Sequence, residues 1–329
     1  ASAPAKAMQA LHRSSVTTGD LRGYERVTSG FARNYATRLD GGPVALVAPM
    51  LAHLHTLLLA LEQPQPPNTR RRLCVQVTQL NVLLGTAAFD LNNLFVARSY
   101  YGSALVAAEQ SEEAALCADV LVKTAWAVVG RSTRSVRYAD QPERTAARAR
   151  EALELLGQAQ GFADRDASPW TRAQLAGLRA EAYASLGQKQ ATEASLQQAH
   201  RAADGARPGA RRYPIEFYDQ ARLASSEGLC YLRLHEPKLA QAALRASQAL
   251  QGPTMLINRS IVQLDLAITS FQLRDVDQAC EFGDQIPDVG PTHQVIAVRQ
   301  HTQDLRRELA PYRSVRAVRE LDERLRAIA

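Results

Sequence analysis

Imidazole and thiolate groups supply most metal sites, nucleophiles and general bases, so the seven histidines and four cysteines are where chemistry would first show in this 329-residue chain. Their spacing argues against it. His53 and His55 lie two residues apart, point to different sides of a helix and cannot share a metal ion there. His200, His235, His293 and His301 have no carboxylate or cysteine at ligand spacing and read as ordinary surface or core histidines. Cys74, Cys117, Cys230 and Cys280 are far apart in sequence, with no C-x-x-C pair. Each falls in an apolar helical pattern, where free cysteine behaves as a small hydrophobe; a reducing, cytoplasmic setting is the simplest reading. The sequence carries no G-x-x-x-x-G-K phosphate loop, no G-x-G-x-x-G after a strand and no G-x-S-x-G elbow. Asp164-Arg165-Asp166 reads as turn and capping chemistry. The expectation is a chain that is not an enzyme and uses no metal and no cofactor.

Binding is what the remaining polar residues suit. Counted back from the turns described below, Gln79, Thr86 and Asp90 fall on the inner helix of a first helix pair, and Lys123 and Trp126 on that of a second. Gln174 and Glu181 take the same place in a third, and Arg222, Ser225 and Arg233 in a fourth. Their mixed signs suit a ligand with both donors and acceptors, as a peptide backbone has. Trp126 offers a flat apolar surface and one donor, which suits anchoring a peptide side chain; the competing reading is that it fills a gap beside a long Arg131–Gln141 loop.

The elements that must position these residues read as all-α. The composition is 46% hydrophobic but only 6% aromatic, so the core is built from Leu, Ala and Val, and Ala and Leu are strong helix formers. Residues 1–19 are small and polar, a linker or tail; a single helical domain spans 20–329. Its first part, 20–68, is a helix pair: Leu21, Tyr24, Val27, Phe31 and Tyr35 recur every three or four residues, Asp40-Gly-Gly-Pro43 breaks the run, and a second helix reaches Leu61. The segment 41–61 lacks Asp, Glu, Lys and Arg and is long enough to raise a membrane span, but Pro43, Pro49, His53 and His55 interrupt it. A helix buried inside the stack is the better expectation. Gln63–Asn68 reads as a loop, and Thr69 opens a helix to about Ala88.

A skeleton then repeats: Tyr231, Leu234, Ala240 and Leu244; Tyr183, Leu186, Thr192 and Leu196; Ala88, Leu91, Ala97 and Tyr101; Ser270, Leu273 and Ala279. The small residue lets the second helix cross closely over the first, and Leu or Tyr one turn later plugs the gap to the next pair. A fifth unit pairs Glu112–Val129 with Pro142–Leu156, and Ser168-Pro169 starts another helix. About five units fill 69–291, separated by extra loops at Arg131–Gln141, Gly161–Pro169 and Gly205–Pro214, and 292–329 supplies closing helices broken at Pro311.

The net charge of +6 and pI near 9.3 come almost wholly from arginine, with lysine only at Lys6, Lys123, Lys189 and Lys238. The clusters Arg70–Arg72, Arg131–Arg137, Arg207–Arg212 and Arg306–Arg326 are read as solvated faces, not a nucleic-acid track. The skeleton resembles the tetratricopeptide repeat, whose period is about 34 residues; these units are longer. That resemblance implies an α-solenoid, a right-handed superhelix of antiparallel helix pairs. The Ala/Arg/Leu-rich repeats, the segment Tyr213-Pro-Ile-Glu-Phe-Tyr-Asp-Gln-Ala-Arg-Leu223, and the ending from Leu309-Ala-Pro-Tyr to Leu325 are similar to one family in particular. It is the tetratricopeptide sensor domain of bacterial, actinobacterial-type transcriptional regulators with a Cro-like helix-turn-helix. The resemblance implies a cytoplasmic domain that senses a peptide or small molecule, or forms a homodimer. No helix-turn-helix is read before residue 20, so no direct DNA binding by this chain is expected, nor any membrane contact. The alternative is a protein–protein assembly scaffold without a soluble ligand.

Overall fold

The repeated skeleton is a turn. At four places an inner helix ends on a leucine followed by a residue in the left-handed region: Asn92 (φ 63°), Gly187 (69°), His235 (56°) and Arg274 (62°). The next amide then reaches back to the carbonyl of the skeleton residue five positions earlier. Asn93 donates to Ala88, Gln188 to Tyr183, Glu236 to Tyr231 and Asp275 to Ser270, at 2.8–2.9 Å. This six-to-one bond satisfies carbonyls that a helix end leaves open. Only Gly187 of the four adopts φ > 0 without steric cost. The following helix starts at once, capped by Asn93 and Asp275 through side-chain oxygens or led by Pro237.

The computed structural model describes residues 16–37, 42–132, 142–207, 210–252, 255–287 and 296–328. These form helices and connecting turns without a strand, the all-α class expected. Helices α1 (Thr18–Thr37) and α2 (Gly42–Glu62) precede five antiparallel pairs. The pairs are α3 (Pro67–Asp90) with α4 (Leu94–Ser111), α5 (Ala114–Ser132) with α6 (Pro142–Asp166), and α7 (Pro169–Ser185) with α8 (Lys189–Asp204). Then come α9 (Gln220–Arg233) with α10 (Pro237–Leu250) and α11 (Leu256–Gln272) with α12 (Val276–Asp284). Helix α13 (Ile296–Leu309), a short 3₁₀ turn (Ala310–Tyr312) and α14 (Arg316–Ile328) close the chain.

Within each pair contact is most extensive, and the odd-numbered helices also touch one another in order, from α3 through α5, α7, α9 and α11 to α13. They form an inner layer, and α13 comes back to touch α3. The small skeleton residues Ala97, Thr192, Ala240 and Ala279 are fully buried at the crossings. The plug residues fit sockets made by glycine: a Cβ on Gly85 would stand 2.9 Å from the Tyr101 ring, and one on Gly228 would stand 2.6 Å from Leu244 Cγ.

Four expectations need correcting. Helix α2 is not buried inside the stack. Met50, Leu54, Leu57 and Ala60 are covered, whereas Val44, Leu51, Leu58 and Leu59 face outward; among the described residues α2 packs chiefly on α1 and α3. It is also the one described helix with the length and composition to span a membrane. The Gly161–Pro169 loop shrinks to two residues, since Leu156, Ala159 and Ala163 continue a buried stripe that carries α6 to Asp166. Asp164-Arg165-Asp166 is therefore a last helical turn. The Gln63–Asn68 loop ends early, with α3 starting at Pro67. The Arg131–Gln141 loop starts two residues late, since Arg131 and Ser132 end α5; its residues 133–141, most of the 1–19 tail, and His293 lie outside the described residues.

Candidate ligand cavity

An inner layer that curves back on itself borders a partly open cavity, and the residues lining it follow from the helical repeat. Counted back from the skeleton residue of each turn, the ninth position is Gln174 in α7, Arg222 in α9 and Ile261 in α11. The fifth is Leu178, Ser226 and Asp265, one turn further along the same face. All six line a cavity of about 140 Å³. Asp90 at the end of α3, Trp126 of α5, Glu181, Ser225 and His301 of α13 complete much of its wall.

Six of the ten residues singled out by sequence thus meet here: Asp90, Trp126, Gln174, Glu181, Arg222 and Ser225. Two more stand just behind. Lys123 is buried with Nζ 3.4 Å from Gln174 Oε1, and Arg233 donates to the Glu181 backbone carbonyl at 3.1 Å, its guanidinium 3.7 Å from the carboxylate. The other two are elsewhere. Thr86 turns toward α4, donating to the Val82 carbonyl and lying 3.1 Å from the Tyr101 hydroxyl. Gln79 is buried, on a helix that packs against α1 and shares a core cluster with Tyr213 and Ile215 of the segment before α9. Phe217 of that segment stacks on Tyr35 of α1, ring centroids 6.2 Å apart.

Sequence reading missed the α11 and α13 walls. Asp265 and His301 form a buried pair through His301 Nδ1, although 36 residues separate them. Extending the same nine-and-five count to the Ser270 turn reaches Ile261 and Asp265; no comparable signal marks His301, which lies on a helix outside the skeleton. His200 likewise meets Glu227 at 2.9 Å. Neither pair gathers a third ligand, and among the described residues no cluster of His, Cys, Asp or Glu could hold a metal.

The cavity carboxylates are fixed from behind. The Tyr35 hydroxyl donates to Asp90 Oδ2 at 2.5 Å, and Ser226 donates to Glu181 Oε1 at 2.8 Å. Trp126 is half-buried, its ring 4.5 Å from that of Phe89, so it bridges core and cavity. A second polar cluster lies behind Lys123. Asp119 Oδ1 accepts from Thr171 at 2.5 Å, and Glu216 accepts from Ser168 and from the amides of Arg212 and Tyr213. Burial, then the charge of Glu216, pushes Asp119 up to about 7. Burial, then the nearby Arg222 guanidinium, pushes Lys123 down to about 8.

The arrangement offers apolar surface, carboxylates and guanidinium around one partly open cavity, which is equipment for recognition. Compared with known proteins, the chain matches no family model and no curated sequence.

Proposed function

We propose that this chain is the signal-sensing module of a bacterial transcriptional regulator, a tetratricopeptide-like right-handed solenoid that binds its ligand on the concave face. The observation that carries this reading is the cavity itself. Its wall takes residues from six successive inner helices, α3 to α13, so a molecule bound there lies among all six. A ligand that prefers one curvature of such a stack shifts the population toward it, and the change reaches both ends. The module would act in the cytoplasm without a cofactor and without touching DNA itself.

The test is a thermal-shift survey of short peptides and small metabolites on the native chain and on Ser225→Trp, which fills the cavity from α9. At least one compound should raise the melting temperature of the native chain and leave Ser225→Trp unmoved. A survey without a hit, or hits that act equally on both proteins, removes the sensing reading. The outward apolar face of α2, with Val44, Leu51, Leu58 and Leu59, would then favour an assembly scaffold or homodimer.

A further inference from the structure

Helix α2 presents a broad apolar face that nothing covers among the described residues. Its exposed positions Val44, Ala48, Leu51, His55, Leu58 and Glu62 are spaced alternately four and three apart. That is the heptad spacing of a seam, in which two positions in every seven meet a neighbouring helix. Exposed Ala45, Ala52 and Leu59, seven apart, widen it along one edge. The other side is taken: Met50, Leu54 and Leu57 are buried in the core cluster that holds Leu21 of α1 and Leu73 of α3. From Gly42 to Leu61 the helix carries no Asp, Glu, Lys or Arg. The cations that open α3 are engaged elsewhere. Arg70 donates to the Leu61 carbonyl at 3.2 Å, Arg71 pairs with Glu112, and Arg72 donates to Glu25 at 2.7 Å. A helix that lies on a membrane keeps Lys or Arg along its polar flank, and α2 has no such rim. Its face suits an uncharged helical stripe of the same pitch.

We infer that α2 docks on α2 of a second copy of this chain, antiparallel across a two-fold axis at the level of His53. The face is complementary to its own reverse. Its first half carries the small Ala45, Ala48 and Ala52, and its second half the large His55, Leu58 and Leu59. Antiparallel alignment sets Ala48 opposite the partner's Leu58 and Leu51 opposite the partner's His55, and the two-fold axis repeats each pairing. Small then meets large along the seam. A parallel pair would face Ala48 with its own copy and Leu58 with its own copy, leaving a gap at one end and crowding at the other. The antiparallel register also brings Glu62, the helix's one acidic residue, level with the partner's Val44 in the first turn of the helix. A helix N-terminus favours a carboxylate there. From Val44 to Glu62 the seam is roughly 27 Å long, about five turns, which suits a reversible dimer more than an obligate one. Helix α2 gives no residue to the cavity wall, so this inference stands apart from the sensing reading.

The experiment is sedimentation velocity on the full chain from about 1 to about 200 μM, over which the native chain should pass from monomer to dimer. Leu58→Glu sets a carboxylate against Ala48 on both sides of the axis and should raise the dissociation constant at least roughly tenfold. Its helical circular dichroism should stay native, because Leu58 is exposed. Cysteine variants read the register under mild oxidation, since the four native cysteines are buried. Ala48→Cys mixed with Leu58→Cys should give a disulfide-linked dimer. Neither should link to itself, because each residue lies about 15 Å from its own copy, against the roughly 7 Å that a disulfide spans. A chain that stays monomeric throughout overturns the inference. So does a dimer as tight in Leu58→Glu as in the native chain, a missing mixed product, or Ala48→Cys linked to itself. A monomer that floats with phosphatidylcholine vesicles, and is released by Leu58→Glu, gives the face to a membrane instead. The mixed cross-link places no charge in the seam, so it decides the matter even where Leu58→Glu fails to fold.

Discussion

Asp119→Asn isolates the buried polar cluster behind the cavity. In the native chain burial and Glu216 push the Asp119 carboxyl from 3.8 up to about 7. A carboxyl whose folded pKa exceeds its unfolded one prefers the protonated form in the fold. Its contribution to stability is therefore complete below pH 3.8 and is lost as pH rises toward about 7. Between pH 5 and the folded value about two units remain, and at about 1.4 kcal/mol per unit the native chain should lose about 2–3 kcal/mol from this group. Lys123 moderates the loss by attraction; it stays protonated through this window, since its own value falls only to about 8. Asparagine keeps the oxygen to which Thr171 donates and cannot ionise. Urea unfolding of both proteins at pH 5 and pH 7.5 gives the answer as a difference of differences, in which carboxylates that do not interact with Asp119 cancel. The variant should be flatter by about 2–3 kcal/mol. An equal pH dependence in the two proteins, or a steeper one in the variant, would refute the account of Asp119 as a strained buried carboxyl.

Two further outcomes follow from packing. Gly228→Ala places a Cβ 2.6 Å from Leu244 Cγ and 3.4 Å from the Ala240 carbonyl, so overpacking of about 1–3 kcal/mol should outweigh the helix-propensity gain and lower the melting temperature; an unchanged or raised value means the socket yields freely. Trp126→Ala should cost about 2–3 kcal/mol in urea unfolding, less than the about 3–5 of a fully enclosed ring, because one edge faces the cavity. A loss below about 1 kcal/mol would show that the contact with Phe89 contributes little.

Much of the fold was legible because its signals are local. The skeleton marks a turn whose left-handed residue and six-to-one hydrogen bond lie within a few positions of each other, so spacing alone finds it, even where the left-handed residue is His235 or Arg274 instead of glycine. Helix ends governed by packing were less legible. Helix α6 runs on through Gly161 because Ala159 and Ala163 still have a neighbour to bury against, and nothing in the local sequence announces that neighbour. The exposure of α2 is the same problem reversed: an uncharged helix reads as buried, but burial depends on how many elements surround it, and among the described residues one side of α2 is left uncovered.

The cavity shows where a helical count stops working. The count gives the direction of a side chain about its own helix axis; it does not give what stands opposite. In α7 and α9 Gln174, Glu181, Arg222 and Ser225 line the cavity as counted, although Gln174 and Glu181 are themselves buried. In α3 the residue equivalent to Gln174 is Gln79, on the same face of an equivalent helix, yet it is buried away from the cavity, on a helix whose core cluster takes in Tyr213 and Ile215 of the segment before α9. That segment comes from more than a hundred residues downstream. Its Tyr213-Pro-Ile-Glu-Phe-Tyr composition was visible in the sequence, but its partners Tyr35, Glu113 and Ser168 were not. The extra length between α8 and α9 adds Tyr213 and Ile215 to the core cluster that holds Leu80 and Leu83 of α3 and Tyr35 of α1, while Asp90 of α3 and Trp126 of α5 still reach the cavity wall.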